Sequence, residues 1–255
     1  MEQPLILLTN DDGVDSPYLE PMASAMRANL GAEVIVLAPE RQRSAMSHSI
    51  TLHKPLRVEE RRSGVYAVSG SPVDCVYIGI LKVASRRPDL VVSGPNDGFN
   101  LGTDVFYSGT VGAAIEGGLR GIPSIAVSLG SKSPDALPHA SKLVCSVAQG
   151  LWQQPAAGTV FNLNVPAGCE GKVRWTSLGR RLYEDDVQQR TDPRNRKYYW
   201  IGGGVAGVDD RKGSDCQAVL EDRVASISPL HLDLTKHSML ETEVGPWPLL
   251  NFELG

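Results

Sequence analysis

Four short aliphatic runs punctuate the first half of the chain: Leu5–Thr9, Val34–Ala38, Leu90–Ser93 and Ser124–Ser128. None shows a sustained apolar–polar alternation, so each reads as a strand covered on both faces, as in a parallel sheet. Helical stretches lie between or after them. Ser16-Pro17 opens one that runs to about Leu30, with Gly31 as its stop; proline suits a first helical turn and glycine a C-terminus. Ser71-Pro72-Val73-Asp74 is a capping-box pattern that opens Val73–Val83. Ser108-Gly109-Thr110 opens a small-residue helix through Leu119, and a fourth helix spans Ala136–Trp152. Leu56–Glu60 and Val65–Val68 read as a short β excursion. Strands alternating with helices predict an α/β fold with a mainly parallel sheet.

Beyond Pro166 the texture changes. "RRLYEDDVQQRTDPRNRKYYWIGGG" is charged and aromatic without a clear helical period, and predicts an extended β arm or hairpin over about 180–215. Val224–Leu232 reads as a strand returning to the body. The expectation is one domain over 1–255, with its core at about 1–166 and 224–255 and the arm reaching toward another subunit.

Composition narrows the partners. At 255 residues the chain can bury a substantial core, and its net charge of -4 argues against a nucleic-acid polymer, which needs a basic face. The four cysteines, Cys75, Cys145, Cys169 and Cys216, form no C-x-x-C pair and read as reduced and structural. No apolar stretch approaches a membrane span and no leader pattern is evident, so a cytoplasmic protein is expected.

In an open parallel sheet, ligands bind beyond the carboxyl ends of the strands. After the first run comes Asn10-Asp11-Asp12-Gly13; after the second, Ser44 and His48; after the third, Asn96, Asp97 and Asn100; then the "YSGTVGAA" helix start. All four fall on one edge of the expected sheet. Asp11 and Asp12 either cap the next turn or, with Ser and Asn oxygens, hold a hard cation such as Mg²⁺, Mn²⁺ or Ca²⁺. The cluster lacks the His and Cys set that zinc takes. "SGTVGAA" is either a close-packed buried helix or a set of N–H donors for an anion. A phosphate held there, facing a cation at Asp11 and Asp12, would make metal-assisted phosphate-ester hydrolysis the natural chemistry.

Competing motifs fall away. An aspartyl-phosphate phosphatase needs Asp where Asn10 stands, and an amide cannot form that intermediate. Gly202–Gly207 matches a dinucleotide fingerprint but no apolar helix follows it, so it reads as a loop. Tyr183–Asp186 reads as a solvated face, His139 as exposed, and His231 as a satisfied structural residue.

Together, "LLTNDDGVDSP", "LAPERQRSAMSHSITL", "GSPVDCVY", "VVSGPNDGFNLGTDVFYSGTVGAAIEG" and "SISPLHLDLT" resemble the SurE survival-protein family of metal-dependent nucleotidases. The resemblance implies a three-layer Rossmann-like fold and a C-terminal region that joins subunits into dimers or tetramers. It implies hydrolysis of nucleoside 5′-monophosphates, often 3′-monophosphates, and in some members short polyphosphate. One divalent cation per subunit, Mg²⁺ or Mn²⁺, is implied, held by Asp11, Asp12, Ser44 and Asn96. Asn100, Ser108, Gly109 and Thr110 are implied to hold the phosphate. Two positions depart from the family: Pro95 stands where Ile is usual, and Ala45 where Gly is common. Asn96 is expected to reach the cation all the same. A catalytically silent nucleotide- or metal-binding oligomer would carry the same residues, and is the rival reading.

Overall fold

The structure, a computed structural model, describes residues 3–130, 134–153, 157–169, 171–184, 186–209 and 211–239. The part of the expected core beyond residue 239 therefore lies outside the described residues.

The first half alternates strands and helices as expected. β1 (Leu5–Thr9), α1 (Leu19–Leu30), β2 (Glu33–Pro39), β3 (Val58–Arg62), β4 (Val65–Val68) and α2 (Pro72–Ile78) are followed by β5 (Leu90–Asp97), α3 (Gly109–Leu119), β6 (Ser124–Leu129), α4 (Leu137–Gln153) and β7 (Val160–Val165). After them come β8 (Val173–Trp175), β9 (Arg181–Tyr183), β10 (Asp186–Thr191), β11 (Lys197–Gly202), β12 (Val205–Val208) and β13 (Ala225–Leu230).

Nine strands form one sheet in the order β3-β4-β2-β1-β5-β6-β7-β13-β8, with β4 through β7 parallel. β3 and β13 run antiparallel to their neighbours β4 and β7. Side chains alternate between two buried faces. Ile6 and Leu8 pack with Met22 of α1 and Val144 of α4, whereas Leu5 and Leu7 pack with Val76 of α2 and Ala113 of α3. Helices thus cover both faces in three layers. Among the described residues no helix is long and apolar enough to cross a membrane.

Several local expectations need correction. α1 begins at Leu19, so Ser16-Pro17 sits in the turn before it rather than in its first turn. The capping box at Ser71 forms as read, but the helix changes to a π-helical turn over Gly79–Val83. β7 was not anticipated: its "FNLN" core places Asn162 and Asn164, both wholly buried, in a central strand, and asparagine is depleted in strands. Their amides donate to Asn100 O at 2.8 and 3.1 Å and Asn164 Oδ1 accepts from Asn100 N, which offsets much of the penalty for burying them, although Asn162 Oδ1 is left without a partner. Gly202–Gly207 is only partly a loop, because Val205–Val208 pairs with β9. His139 is half-buried rather than exposed.

The arm is a ribbon. β10 and β11 pair antiparallel with every residue exposed, and β9 and β12 continue the ribbon toward the body. All four cysteines are free and buried.

Candidate active-site cleft

The chain leaves β1 for β2 and β4 on one side and returns to β5, β6 and β7 on the other. The carboxyl ends of β1 and β5 therefore flank the topological switch point, where open α/β sheets bind ligands. A cleft of about 240 Å³ opens there, lined by Asp11, Asp12, Gln42, Ser44, Ala45, Asn96, Asp97, Asn100, Asp104, Tyr107, Ser108 and Tyr183.

The turn after β1 is built by its asparagine. Asn10 Oδ1 accepts from Gly13 N, and Asn10 Nδ2 donates to Gly13 O, both at 3.1 Å. Gly13 has φ +103, a conformation that L side chains rarely adopt, and it lies against the backbone of Arg41. This brace turns Asp11 and Asp12 outward into the cleft while Asn10 itself stays wholly buried.

Asp11 is 4% exposed, and its Oδ1 accepts from Thr110 Oγ1 at 2.5 Å. A Cβ on Gly109 would meet the Asp11 side chain at 3.2 Å, so glycine permits the helix to approach this closely. Burial drives the Asp11 pKa up from 3.8 to about 6. Hydrogen bonds from Thr110 oppose the rise, and the charge of Asp12 adds to it. Asp12 is half-buried; its Oδ2 accepts from Asp97 N at 3.1 Å. Burial raises its pKa as well, with the Asp97 hydrogen bond opposing and the Asp97 charge adding.

The remaining positions gather around this pair. Ser44 is exposed on the loop after β2, and its Oγ accepts from Gln42 Nε2 at 3.0 Å. Arg43 N donates to Asp11 O at 2.7 Å, tying that loop to the acid pair. Ala45 has φ +56, the left-handed region where its Cβ is unfavourable. On β5, the strand is interrupted between Ser93 and Asn96, and the Gly94–Pro95 peptide is cis. Asn96 lines the cleft, its Nδ2 donating to Gly98 O at 2.7 Å.

Asn100 is fixed from three sides: its N donates to Asn164 Oδ1 at 2.9 Å, its Nδ2 to Ser128 Oγ at 2.8 Å, and its O takes the two asparagine amides of β7. At the start of α3, Ser108 Oγ caps the helix by accepting from Val111 N at 3.0 Å. Thus Asp11, rather than open solvent, faces the helix start, and the Thr110 hydroxyl is already engaged. The eight residues singled out in the sequence converge on this one cleft region, six of them in its lining and Gly109 and Thr110 directly behind Asp11.

Besides Gln42, two residues before Ser44, three lining residues were missed: Asp104, Tyr107 and Tyr183. Tyr183, read as part of a solvated face, donates from its hydroxyl to Asp104 Oδ1 at 2.6 Å. Asp104 also accepts from Arg181 Nη1 at 2.5 Å, and Tyr107 follows three residues later on the same turn. The only sequence signal for them was proximity to Ser108, since Tyr183 arrives from the arm. His48 points elsewhere: its Nε2 pairs with Glu116 at 3.1 Å, which together with Arg120 outweighs the burial of Glu116 and lowers its pKa.

The family model described as "Survival protein SurE" matches residues 6–185. The "5'-nucleotidase SurE" of Anaeromyxobacter dehalogenans is 47% identical over 251 residues, covering 97% of each chain. That of Pelobacter propionicus is 48% identical over 241 residues, covering 92% of this chain and 96% of the relative. A solved structure, "Crystal Structure of Sure Protein from Aquifex aeolicus", aligns with a TM-score of 0.80 at 35% identity over 93% of this chain and 97% of that one.

Proposed function

Because the chain belongs to the SurE family, we propose that it is a 5′-nucleotidase, a phosphomonoesterase that hydrolyses nucleoside 5′-monophosphates with a divalent cation held in the cleft. Activity on 3′-monophosphates and short polyphosphate is part of the same proposal, as are assembly into a dimer or tetramer through the arm and a cytoplasmic location.

One observation carries the reading: two adjacent carboxylates, one of them buried, share a cleft whose described lining contains no Lys or Arg. Burial, with the neighbouring negative charge adding to it, raises the pKa of such a pair until something balances the charge. The neighbouring oxygens of Ser44 and Asn96 complete a hard donor set, which fits Mg²⁺ or Mn²⁺. Among the described residues no group of three or more His, Cys, Asp or Glu is placed to hold a metal. A cation here would therefore rely on neutral serine and asparagine oxygens beside Asp11 and Asp12.

When bound, the cation supplies Lewis-acid polarisation of the phosphoryl group and activation of water. The chain's own residues do the rest. Asp11 and Asp12 act as ligands, not nucleophiles. The start of α3 and Asn100 orient the phosphoryl oxygens, with Ser108 fixing the helix end and Thr110 fixing Asp11. Exposed aromatics on the arm, Tyr199 and Trp200 among them, support its role in joining subunits.

Phosphate release from nucleoside monophosphates, measured with Mn²⁺ or Mg²⁺ and with EDTA, tests the reading. Activity that survives thorough chelation sinks the metal mechanism. If no substrate turns over with any divalent ion, the silent-binder reading replaces it.

A further inference from the structure

His48 lies close to Ser44 in sequence but has no task in the phosphatase reading. It sits on the connection between β2 and β3, residues 40–57, which carries Ser44 to the cleft and contains no helix or strand. Two residues of this loop, Ala45 and Ser47, hold φ of +56 and +54. Left-handed backbone at non-glycine residues persists only where the surroundings fix it. Beyond Ser44 the loop is fastened to α3 and to the turn before it. Ser47 N donates to Tyr107 O at 3.0 Å, and Ser47 Oγ to Phe106 O at 2.6 Å. The loop backbone then lies directly on the helix: a Cβ on Gly112 would meet Ser47 O at 2.7 Å and His48 Cα at 3.1 Å. One turn further along the same face of α3, Glu116 Oε2 pairs with His48 Nε2 at 3.1 Å. The Glu116 side chain is 8% exposed, and its other oxygen accepts from Arg120 Nε at 2.6 Å. The Arg120 guanidinium lies over the Tyr77 ring of α2, 3.9 Å from its centroid. His48 therefore docks onto a carboxylate that is itself held in place.

We propose that His48 is a positioning residue for the cation site: its bond to Glu116 holds the Ser44 loop at a set place on α3. The inference rests on the phosphatase reading, in which Ser44 supplies one of the cation's oxygens. His48 is absent from the cleft lining, so it acts through Ser44 and not on the substrate. The loop is tethered on both sides of that serine. Upstream, Arg43 N donates to Asp11 O at 2.7 Å; downstream, Ser47 and His48 bind the turn before α3 and α3 itself. The same helix begins at Gly109-Thr110, where Thr110 bonds Asp11. Tying Ser44 to this helix thus fixes the serine oxygen against both the acid pair and the phosphate-holding helix start.

Calorimetric titration with Mn²⁺ tests this on the full chain as wild type, His48→Ala, Ser44→Ala and the double variant. His48→Ala should weaken Mn²⁺ binding about tenfold, the lower end of what groups that orient a metal ligand contribute. His48→Gln, whose amide N–H stands in for Nε2, should recover most of that loss. With the Ser44 hydroxyl already removed, His48→Ala should cost less than about threefold more, because the two changes then act on one oxygen. Glu116→Gln approaches the same bond from the helix. It should weaken Mn²⁺ about threefold, since a neutral acceptor gives roughly half of a charge-assisted bond. Unchanged affinity in both His48→Ala and Glu116→Gln overturns the proposal. So does an equal loss with and without the Ser44 hydroxyl, which would mean that His48 supports the fold at large, or an equal loss in His48→Gln and His48→Ala. Wild type that binds no divalent cation overturns the parent reading instead, and the positioning role with it.

Discussion

Asp215 and Asp11 are both buried carboxylates near the cleft, yet the chain treats them in opposite ways. Asp215 is wholly buried and accepts three backbone N–H groups, from Gly102, Gly179 and Cys216, at 2.7–2.8 Å. It binds the return of the arm to the turn that leads into α3. Asp11 lies against one helix start, with Asp12 as its neighbour in sequence and in charge. One carboxylate is enclosed by donors and serves as mortar. The other is left with negative charge to balance, which is what a cation site requires.

Removing each group should separate the two roles. Asp215→Ala strands three buried N–H groups, and at about 1–3 kcal/mol each with partial relaxation we expect a loss of roughly 3–5 kcal/mol in urea unfolding. A loss below about 1 kcal/mol would mean that those amides find other partners. Asp11→Asn should act in the reverse sense. In metal-free protein it should leave stability unchanged or raise it by up to about 3 kcal/mol near neutral pH, the upper bound set by a shift from 3.8 to about 6. Phosphate release should fall by more than about 100-fold, since even residues behind the ligands are worth 10–100-fold. Destabilisation by Asp11→Asn would erase the contrast.

Acidity gives a smaller effect. With its folded pKa raised, Asp11 binds its proton more tightly folded than unfolded, so its favourable contribution is present below 3.8 and is lost as pH rises through about 6. A cation must displace that proton, so Mn²⁺ affinity measured by calorimetry should drop about fourfold between pH of about 7.5 and about 5.5. No change would place the titrating group elsewhere. Smallest of all, Ala45→Gly should stabilise by about 0.5 kcal/mol in thermal unfolding. It relieves about 1 kcal/mol of left-handed strain while giving the unfolded chain more freedom.

How far the sequence disclosed this arrangement follows the same division. Asp11 and Asp12 were legible because a buried strand that ends in two acids is anomalous in one dimension, and β1 runs over Leu5–Thr9 as read. Asp215 was not legible: in "KGSDCQ" it looks like any loop acid, and its three donors come from backbone that no side-chain pattern encodes. β7 escaped for the same reason. Its asparagines look polar until Asn100 O is placed between their amides. Tyr183 lay hidden in an acidic, solvent-like run, because its partner Asp104 is 79 residues away in sequence.

The reciprocal bonds between Asn10 and Gly13 have a thermodynamic consequence of their own. They set the acid pair in place when the chain folds, so the repulsion between the two carboxylates is overcome once by the whole cooperative structure. An arriving ligand then has little of this turn left to order, and preorganisation of this kind lowers the entropic cost of binding. Loosening the turn while keeping both aspartates would leave the ligands present but shift that ordering cost onto every binding event.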